Sequence, residues 1–490
     1  MPDHPGIGRV LDTAWADVET VQKWKNKFID CHGAKCENPL KVWPTRPAWL
    51  VDVQKQCIVP GNEPVDCVAI SYTYGSHTPP AIISTAFKEL QKPFALETSE
   101  FCNFVSPIIR HAMHLTSAIE ERYLWADSLC VTHHEPKAAS EQLRSMGVIY
   151  ANAVVTIIAT DGDFGSEISG IKGISNPRGL NQNMIFFPTQ LQTYYQRGWT
   201  CQEYAMAKRK IIFYKHEVHW VCSCTLWHEE LTLFTEIDNE LNPQFKFVMA
   251  GFPDDSSLSR YFNEYNQRSL TFEQDALSAL SGLLSVFSRS FEGGFLYGIP
   301  EMFFEHSLCW RASGTKGLQR RVASSRSMEC RFEYSDLPSW SWLGWKGSIH
   351  DRSQTGSRVG SNYICEEEYV EEASPITECK PMPPGWNRVF APENEYHIDP
   401  DCCSKYLFQH ESMLQTHEKR SEWYYPFAVS EIQESTTPFM PEQTPYLFCE
   451  TVRARLSRYQ QDSDKLQFLW DNETKLCDKT WEDYWTIAPP

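Results

Sequence analysis

Residues 61–235 predict an α/β fold with a mostly parallel, doubly wound sheet. Two observations carry this. Short apolar runs of strand length alternate with stretches of helical period, giving a βαβαβ rhythm. One run, Val154–Thr160 (VVTIIAT), is β-branched and apolar almost throughout, the composition of a strand covered on both faces.

The elements follow in order. Residues 1–60 are a lead-in punctuated by Trp and Pro, expected to pack on the core. Asp66–Tyr72 (DCVAISY) reads as a strand ending in Thr73-Tyr74-Gly75. Ser106-Pro107 sets an N-cap before a proline at the first helical position, where a backbone N–H has no helical partner to lose. Ile108, Ile109, Ala112, Met113, Leu115, Thr116 and Ile119 then recur at helical spacing. Arg122–Val131 (RYLWADSLCV) reads as a second strand. Lys137–Ala151 reads as a helix with Ala139, Leu143, Met146 and Tyr150 on one face. Val154–Thr160 is the third strand. After a loop of about thirty residues, Thr193–Lys208 reads as a helix and Lys210–Tyr214 (KIIFY) as a fourth strand.

Residues 236–350 form a helical and aromatic extension. Thr271 and Gln274 make a capping box, and Leu277, Leu280, Leu284 and Phe287 share a helix face. Pro338–Trp345 (PSWSWLGW) is dense in aromatics, and with Trp310 it predicts a second core or an interface. Residues 351–400 hold ten acidic and four basic residues with repeated Pro, as in an exposed insertion or linker. Residues 401–490 are a C-terminal β-rich region, so the chain beyond the sheet domain is α+β in character.

Composition bounds the function. The chain has 490 residues, 45 Lys+Arg against 63 Asp+Glu, and a net charge of −18. That leaves no general basic field for nucleic acid or an anionic membrane. At 42% hydrophobic and 13% aromatic, it can bury a sizeable core. No apolar leader segment and no membrane-length run is visible. The 17 cysteines are odd in number and scattered, as expected of reduced thiols in a cytoplasmic protein.

In a doubly wound sheet, ligands bind outside the carboxyl ends of the strands. Here those ends carry Ser71 and Tyr72, Asp127 and Ser128, and Thr160 with Asp161. No nucleophile elbow and no P-loop occurs. Two Cys/His clusters, Cys31-His32 with Cys36 and His219, Cys222, Cys224 and His228, lack a C-x-x-C pair or a matching second half, so no metal is expected.

Four segments, in order, carry a more specific signal: Val68–Gly75 (VAISYTYG), Tyr123–Val131 (YLWADSLCV), Met146–Ala153 (MGVIYANA) and Arg197–Glu203 (RGWTCQE). Together they resemble the fungal heterokaryon-incompatibility (HET) domain, over roughly residues 20–350. Tyr74, Ala126, His133 and Cys201 depart from its pattern, which has Trp, Ile, Gln and an apolar residue there. The resemblance implies an effector of non-self recognition and programmed cell death. It further implies remote similarity to TIR domains, a flavodoxin-like sheet, and NAD glycohydrolase activity by one glutamate in a W-x-x-x-E setting. Trp199 and Glu203 have that spacing, and positions i and i+4 share a helix face.

On that resemblance, Glu203 is the candidate catalytic residue, and NAD is the substrate. Ser71, Tyr72, Gly75, Asp127, Ser128, Arg197 and Trp199 are the candidate contacts for the nucleotide. One carboxylate can stabilise the ribosyl cation that forms as nicotinamide leaves as a neutral ring. Each residue also has a structural reading. Glu203 can serve the helix dipole or pair with Arg197 or Lys208. Trp199 can be core, and Asp127 can cap a turn. Self-association or another signalling protein is the expected partner. The alternatives are a non-enzymatic death-signalling module and a protein that senses a nucleotide without cleaving it.

Overall fold

The computed structural model describes residues 11–179 except 41, 76, 78 and 79; 193–230 except 215, 223 and 224; 237 and 238; 255–322 except 290, 292, 302, 303, 309 and 314–316; 337–350; 443; and the segments 386–390, 406–410, 456–462 and 465–470. The expected loop of about thirty residues is described only in part, and most of 351–400 lies outside these limits.

The apolar runs form strands because each can be covered on both faces. Strand β3 (Val68–Ser71), β5 (Val155–Ala159) and β6 (Arg209–Tyr214) are buried at every position. Their side chains alternate between two layers, as a pleat requires. Ile157, Ala159, Ile211 and Phe213 join the main core, whereas Ile158, Ile212 and Tyr214 pack with Tyr194, Val221 and Leu226 on the other side.

Among the described residues, one sheet holds nine strands, in the order β2-β1-β4-β3-β5-β6-β7-β8-β9. The others are β1 (Trp49–Asp52), β2 (Cys57–Pro60), β4 (Tyr123–Trp125), β7 (Glu217–Cys222), β8 (Thr225–His228) and β9 (Ile237–Asp238). The fold is α/β and the sheet is mixed. Its centre, β4-β3-β5-β6, is parallel, and the flanking pairs are antiparallel. The parallel expectation thus covers the centre alone, because tight turns build both flanks. Asp52 accepts the backbone N–H groups of Gln54 and Lys55, turning the chain from β1 into β2. His216 takes a positive φ of 68° between β6 and β7.

Among the parallel strands, the chain order runs second, first, third, fourth across the sheet. The winding direction therefore reverses between β3 and β5, the place where open α/β sheets bind ligands. Ser71 is the last residue of β3 and pairs with Ile158.

Three expected elements are divided. The second strand stops at Trp125, and Asp127–Cys130 is one turn of helix, because the Asp127 carboxylate accepts the Ser128 N–H at 2.8 Å. The helix expected over Lys137–Ala151 is two helices, Pro136–Arg144 and Met146–Asn152, broken at Ser145. The helix expected over Thr193–Lys208 breaks at Arg197, whose backbone is extended. Arg197 bridges to Ser269, and Gly198 donates its N–H to the Ser269 carbonyl at 2.8 Å. A contact across some seventy residues thus overrides local helix preference. Pro107–Ala118 is helical as expected and buries Ile108, Ile109, Ala112, Met113, Leu115 and Thr116.

The first of two units runs from Met1 to Gln443. Its main core takes in Val21 and Trp24 of the lead-in helix Val18–Glu37, and Leu283, Leu284 and Phe287 of the helix Ser281–Phe287. The aromatic segment joins the same core. Trp342 is buried and lies 4.7 Å from Phe262, and Trp310 and Trp340 pack beside it. The second unit, Thr444–Pro490, contains a hairpin of Leu456–Asp462 with Lys465–Trp470. Cys57, Cys67, Cys102, Cys130 and Cys201 are free thiols. Among the described residues, no helix is long and apolar enough to cross a membrane.

Candidate functional site

Glu203 lies on the helix Gly198–Met206, hereafter the site helix, which packs against β3. The residue is buried, at 7% exposure. Ser71 Oγ donates to Glu203 Oε2 at 2.5 Å, and Tyr150 Oη donates to the same oxygen at 3.3 Å. Tyr194 Oη lies 2.5 Å from Ser71 Oγ. Tyr150 shares its single hydroxyl proton with the nearer Ile70 carbonyl, at 2.9 Å, and its ring meets Trp125 edge-on at 5.3 Å. Neighbours paired in a sheet ladder project to the same side. Ser71 therefore shares a face with Ile158, the face on which Tyr194 packs.

A second carboxylate stands close by. Asp127 accepts Tyr72 Oη at 2.9 Å on one oxygen and Tyr74 Oη at 2.6 Å on the other. The rings of Tyr72 and Tyr74 meet edge-on at 5.3 Å, and Phe164 covers both. The guanidinium of Arg197 lies over the Tyr74 ring at 5.5 Å.

The electrostatics follow from this packing. Burial pushes the Glu203 carboxyl up from 4.5 to about 7, and the Asp127 charge adds to the rise. The Ser71 hydrogen bond, the Arg197 charge and the Tyr150 hydrogen bond oppose it. Burial, then the Asp127 charge, raises both Tyr72 and Tyr74, so these phenols stay protonated as donors. A carboxyl near 7 beside fixed hydroxyl donors can hold or release a proton at neutral pH.

The fold brings Ser71, Tyr72, Asp127, Ser128, Arg197 and Glu203 together. It places the other candidates differently. Trp199 is half-buried, and its side chain hydrogen-bonds Asp275, which burial raises to about 7. Gly75 takes a positive φ of 60°, where a Cβ would collide with Asp163, so its role is in the backbone turn. Thr160 donates to the Phe213 carbonyl, and Asp161 accepts the His216 N–H. Lys208 pairs with Glu37, leaving Glu203 to the hydroxyl cluster.

Tyr150 and Tyr194 are the site residues that the sequence reading missed. Tyr150 stood inside the third motif, read only as one face of a helix. Of the departures from the pattern, Tyr74 supplies a hydroxyl to Asp127 that an indole in its place has no oxygen to supply. Cys201 lies 2.8 Å from Tyr261 Oη. His133 is close enough to feel the Asp127 charge, although burial dominates and lowers its pKa.

Residues 68–203 match the family model described as heterokaryon incompatibility protein (HET). The chain carries a HET domain. The matched span opens on β3 and closes on Glu203, so the two carboxylates and the hydroxyl cluster belong to the HET domain itself. The match supports a role in heterokaryon incompatibility. No curated protein and no solved structure matches the chain.

Proposed function

We propose that this HET-domain protein is a cytoplasmic effector of non-self recognition and cell death that cleaves the N-glycosidic bond of NAD, in the manner of TIR domains. One observation carries the reading. A buried carboxyl poised near neutrality, Glu203, sits where the winding direction of the parallel strands reverses, fixed by Ser71 and Tyr150. The parallel order of the central strands supports the flavodoxin-like comparison.

In this reading, the bond between ribose C1′ and the nicotinamide nitrogen breaks, and nicotinamide keeps the electron pair and leaves neutral. The ionised Glu203 faces the ribosyl cation. Water adds to C1′ and gives up a proton, for which Glu203 is the acceptor, and the product is ADP-ribose. Arg197 offers a cation to the diphosphate. Tyr72, Asp127 and Ser128 line the ribose side. Gly75 shapes the turn after β3, and Trp199 braces the site helix through Asp275. The active protein is self-associated or held by another signalling chain.

The test is purified full-length protein incubated with NAD, with nicotinamide and ADP-ribose read by chromatography. The expected result is turnover that climbs as pH rises through about 7, where Glu203 ionises, and that disappears in Glu203→Gln. Turnover surviving that substitution removes Glu203 from the mechanism.

The burial of Glu203 favours a second reading, in which the hydroxyl cluster only stiffens a non-enzymatic assembly module. That reading expects intact NAD after long incubation and unchanged assembly in Glu203→Gln. A retained, uncleaved nucleotide marks a sensing protein instead.

A further inference from the structure

The antiparallel flank carries a polar cluster with no part in the chemistry above. His219 on β7 and His228 on β8 are directly paired in the ladder. Their Nδ1 atoms lie 2.7 Å apart and their rings are nearly perpendicular. Both side chains are buried, at 0% and 8% exposure. Glu230 Oε1 lies 3.7 Å from His228 Nδ1. Its other oxygen, Oε2, is buried and has no hydrogen-bond partner among the described residues. On the far side, Glu217 Oε2 lies 3.4 Å from His219 Nε2.

We propose that His219, His228 and Glu230 form a binding site for one divalent transition-metal ion of the zinc type. One ligand atom from each of the three lies within 4.8 Å of the others. Bonds of about 2.0–2.2 Å to nitrogen and oxygen, arranged tetrahedrally, separate ligand atoms by about 3.4 Å. The two Nδ1 atoms need to part by about 0.7 Å from their present 2.7 Å, within reach of a small ring rotation. Glu217 Oε2, 3.4 Å from His219 Nε2, stands where an outer carboxylate would favour the Nε2–H tautomer and leave the Nδ1 lone pair to the ion.

In the metal-free pair, one Nδ1–H donates to the other Nδ1. The ion takes that proton's place, and the proton moves to Nε2 of the same ring, so no net charge is displaced from the imidazoles. Burial, the dominant cause for each ring, keeps both in the neutral form that ligates a metal. Glu217 and Glu230 give the site a negative surround, while Glu229 is already engaged by Arg178 at 2.5 and 2.8 Å. Three protein ligands leave a fourth position for water. Two imidazoles and one carboxylate suit zinc, with copper, nickel and cobalt as competitors. His219 and His228 stand three and four strands from β3, roughly 14 Å or more at the usual strand spacing, and so the site is separate from Glu203.

The experiment uses the full chain, stripped with chelator and titrated with zinc chloride by calorimetry. Cobalt(II) titration followed by visible absorption reports the geometry. Expected are one ion per chain, a tetrahedral cobalt spectrum, and a higher unfolding temperature with zinc. His219 is fully buried and its replacement can prevent folding, so the informative variants are Glu230→Gln and Glu217→Gln, both nearer the surface. Glu217→Gln weakens binding by about 10- to 100-fold, and Glu230→Gln removes the tetrahedral spectrum. Failure of the wild-type chain to take up an ion overturns the proposal. So does uptake that both variants leave unchanged, because the ion then sits elsewhere.

Discussion

Replacing Glu203 by Gln is expected to make the protein more stable at neutral and alkaline pH while removing the group proposed to act on NAD. The folded carboxyl titrates at about 7 against an ordinary value of 4.5. At 1.36 kcal/mol for each unit of pKa, the gap is worth about 3 kcal/mol. The sign is fixed by the direction. The folded state holds this proton more tightly than the unfolded chain does. The contribution is therefore whole below pH 4.5 and is lost as pH rises through about 7. Gln keeps the shape and stays neutral throughout. With its amide oxygen in the place of Oε2, it can accept from Ser71 and Tyr150 as the carboxylate does.

The measurement is the unfolding free energy of both proteins by urea titration, at a series of pH values from about 4 to about 8. The variant-minus-wild-type difference should climb by about 3 kcal/mol across that range. Other groups that titrate there, including the raised Asp275, are present in both proteins and cancel. Because the Asp127 charge contributes to the rise, the climb should shrink in an Asp127→Asn background. A difference that stays level with pH would show that Glu203 ionises like a solvated carboxylate. The desolvation reasoning, and with it the claim of a poised group, would then be wrong.

Two other outcomes follow from packing. Arg178→Ala should cost about 3–5 kcal/mol by stranding the buried Glu229. It should also expose residues 12–15 to limited proteolysis, since Arg178 holds the Asp12 and Trp15 carbonyls; adding Glu229→Gln should recover part of the loss. Gly282→Ala should cost about 1–3 kcal/mol, read from the urea midpoint, because its Cβ would stand 2.9 Å from Gln202 Oε1 and 3.0 Å from Gly147 Cα.

What the sequence made legible depends on range. The runs around Ile70, Ile157 and Ile211 announced central strands because a strand buried on both faces has one composition wherever it lies. The motif ends that carry Ser71, Asp127 and Glu203 do converge, because parallel strands put their carboxyl ends on one edge. The edges of the sheet were hidden, since turns as short as the one at His216 leave little pattern. The break at Arg197 was hidden too, because its cause is Ser269, far along the chain. Tyr194 follows the long loop after the third expected strand and is recognised only once its hydroxyl meets Ser71.

The wiring of the two carboxylates argues against a purely structural cluster. A framework role for position 203 is met by Gln, which accepts from the same hydroxyls and never buries a charge at any pH. The chain instead places a carboxyl there, within Coulombic range of Asp127, whose charge raises the cost of ionising Glu203. Tyr72 and Tyr74 hold Asp127, and Ser71 and Tyr150 hold Glu203, so neither can swing away to relieve the repulsion. Stored electrostatic cost of this kind is selected where a proton or a developing positive charge has to be met. A cationic ribose between the two would turn that mutual repulsion into attraction. On this reasoning the stabilised Glu203→Gln variant is also the inactive one. A variant that is stabilised and still fully active would leave the paired carboxylates without a reason.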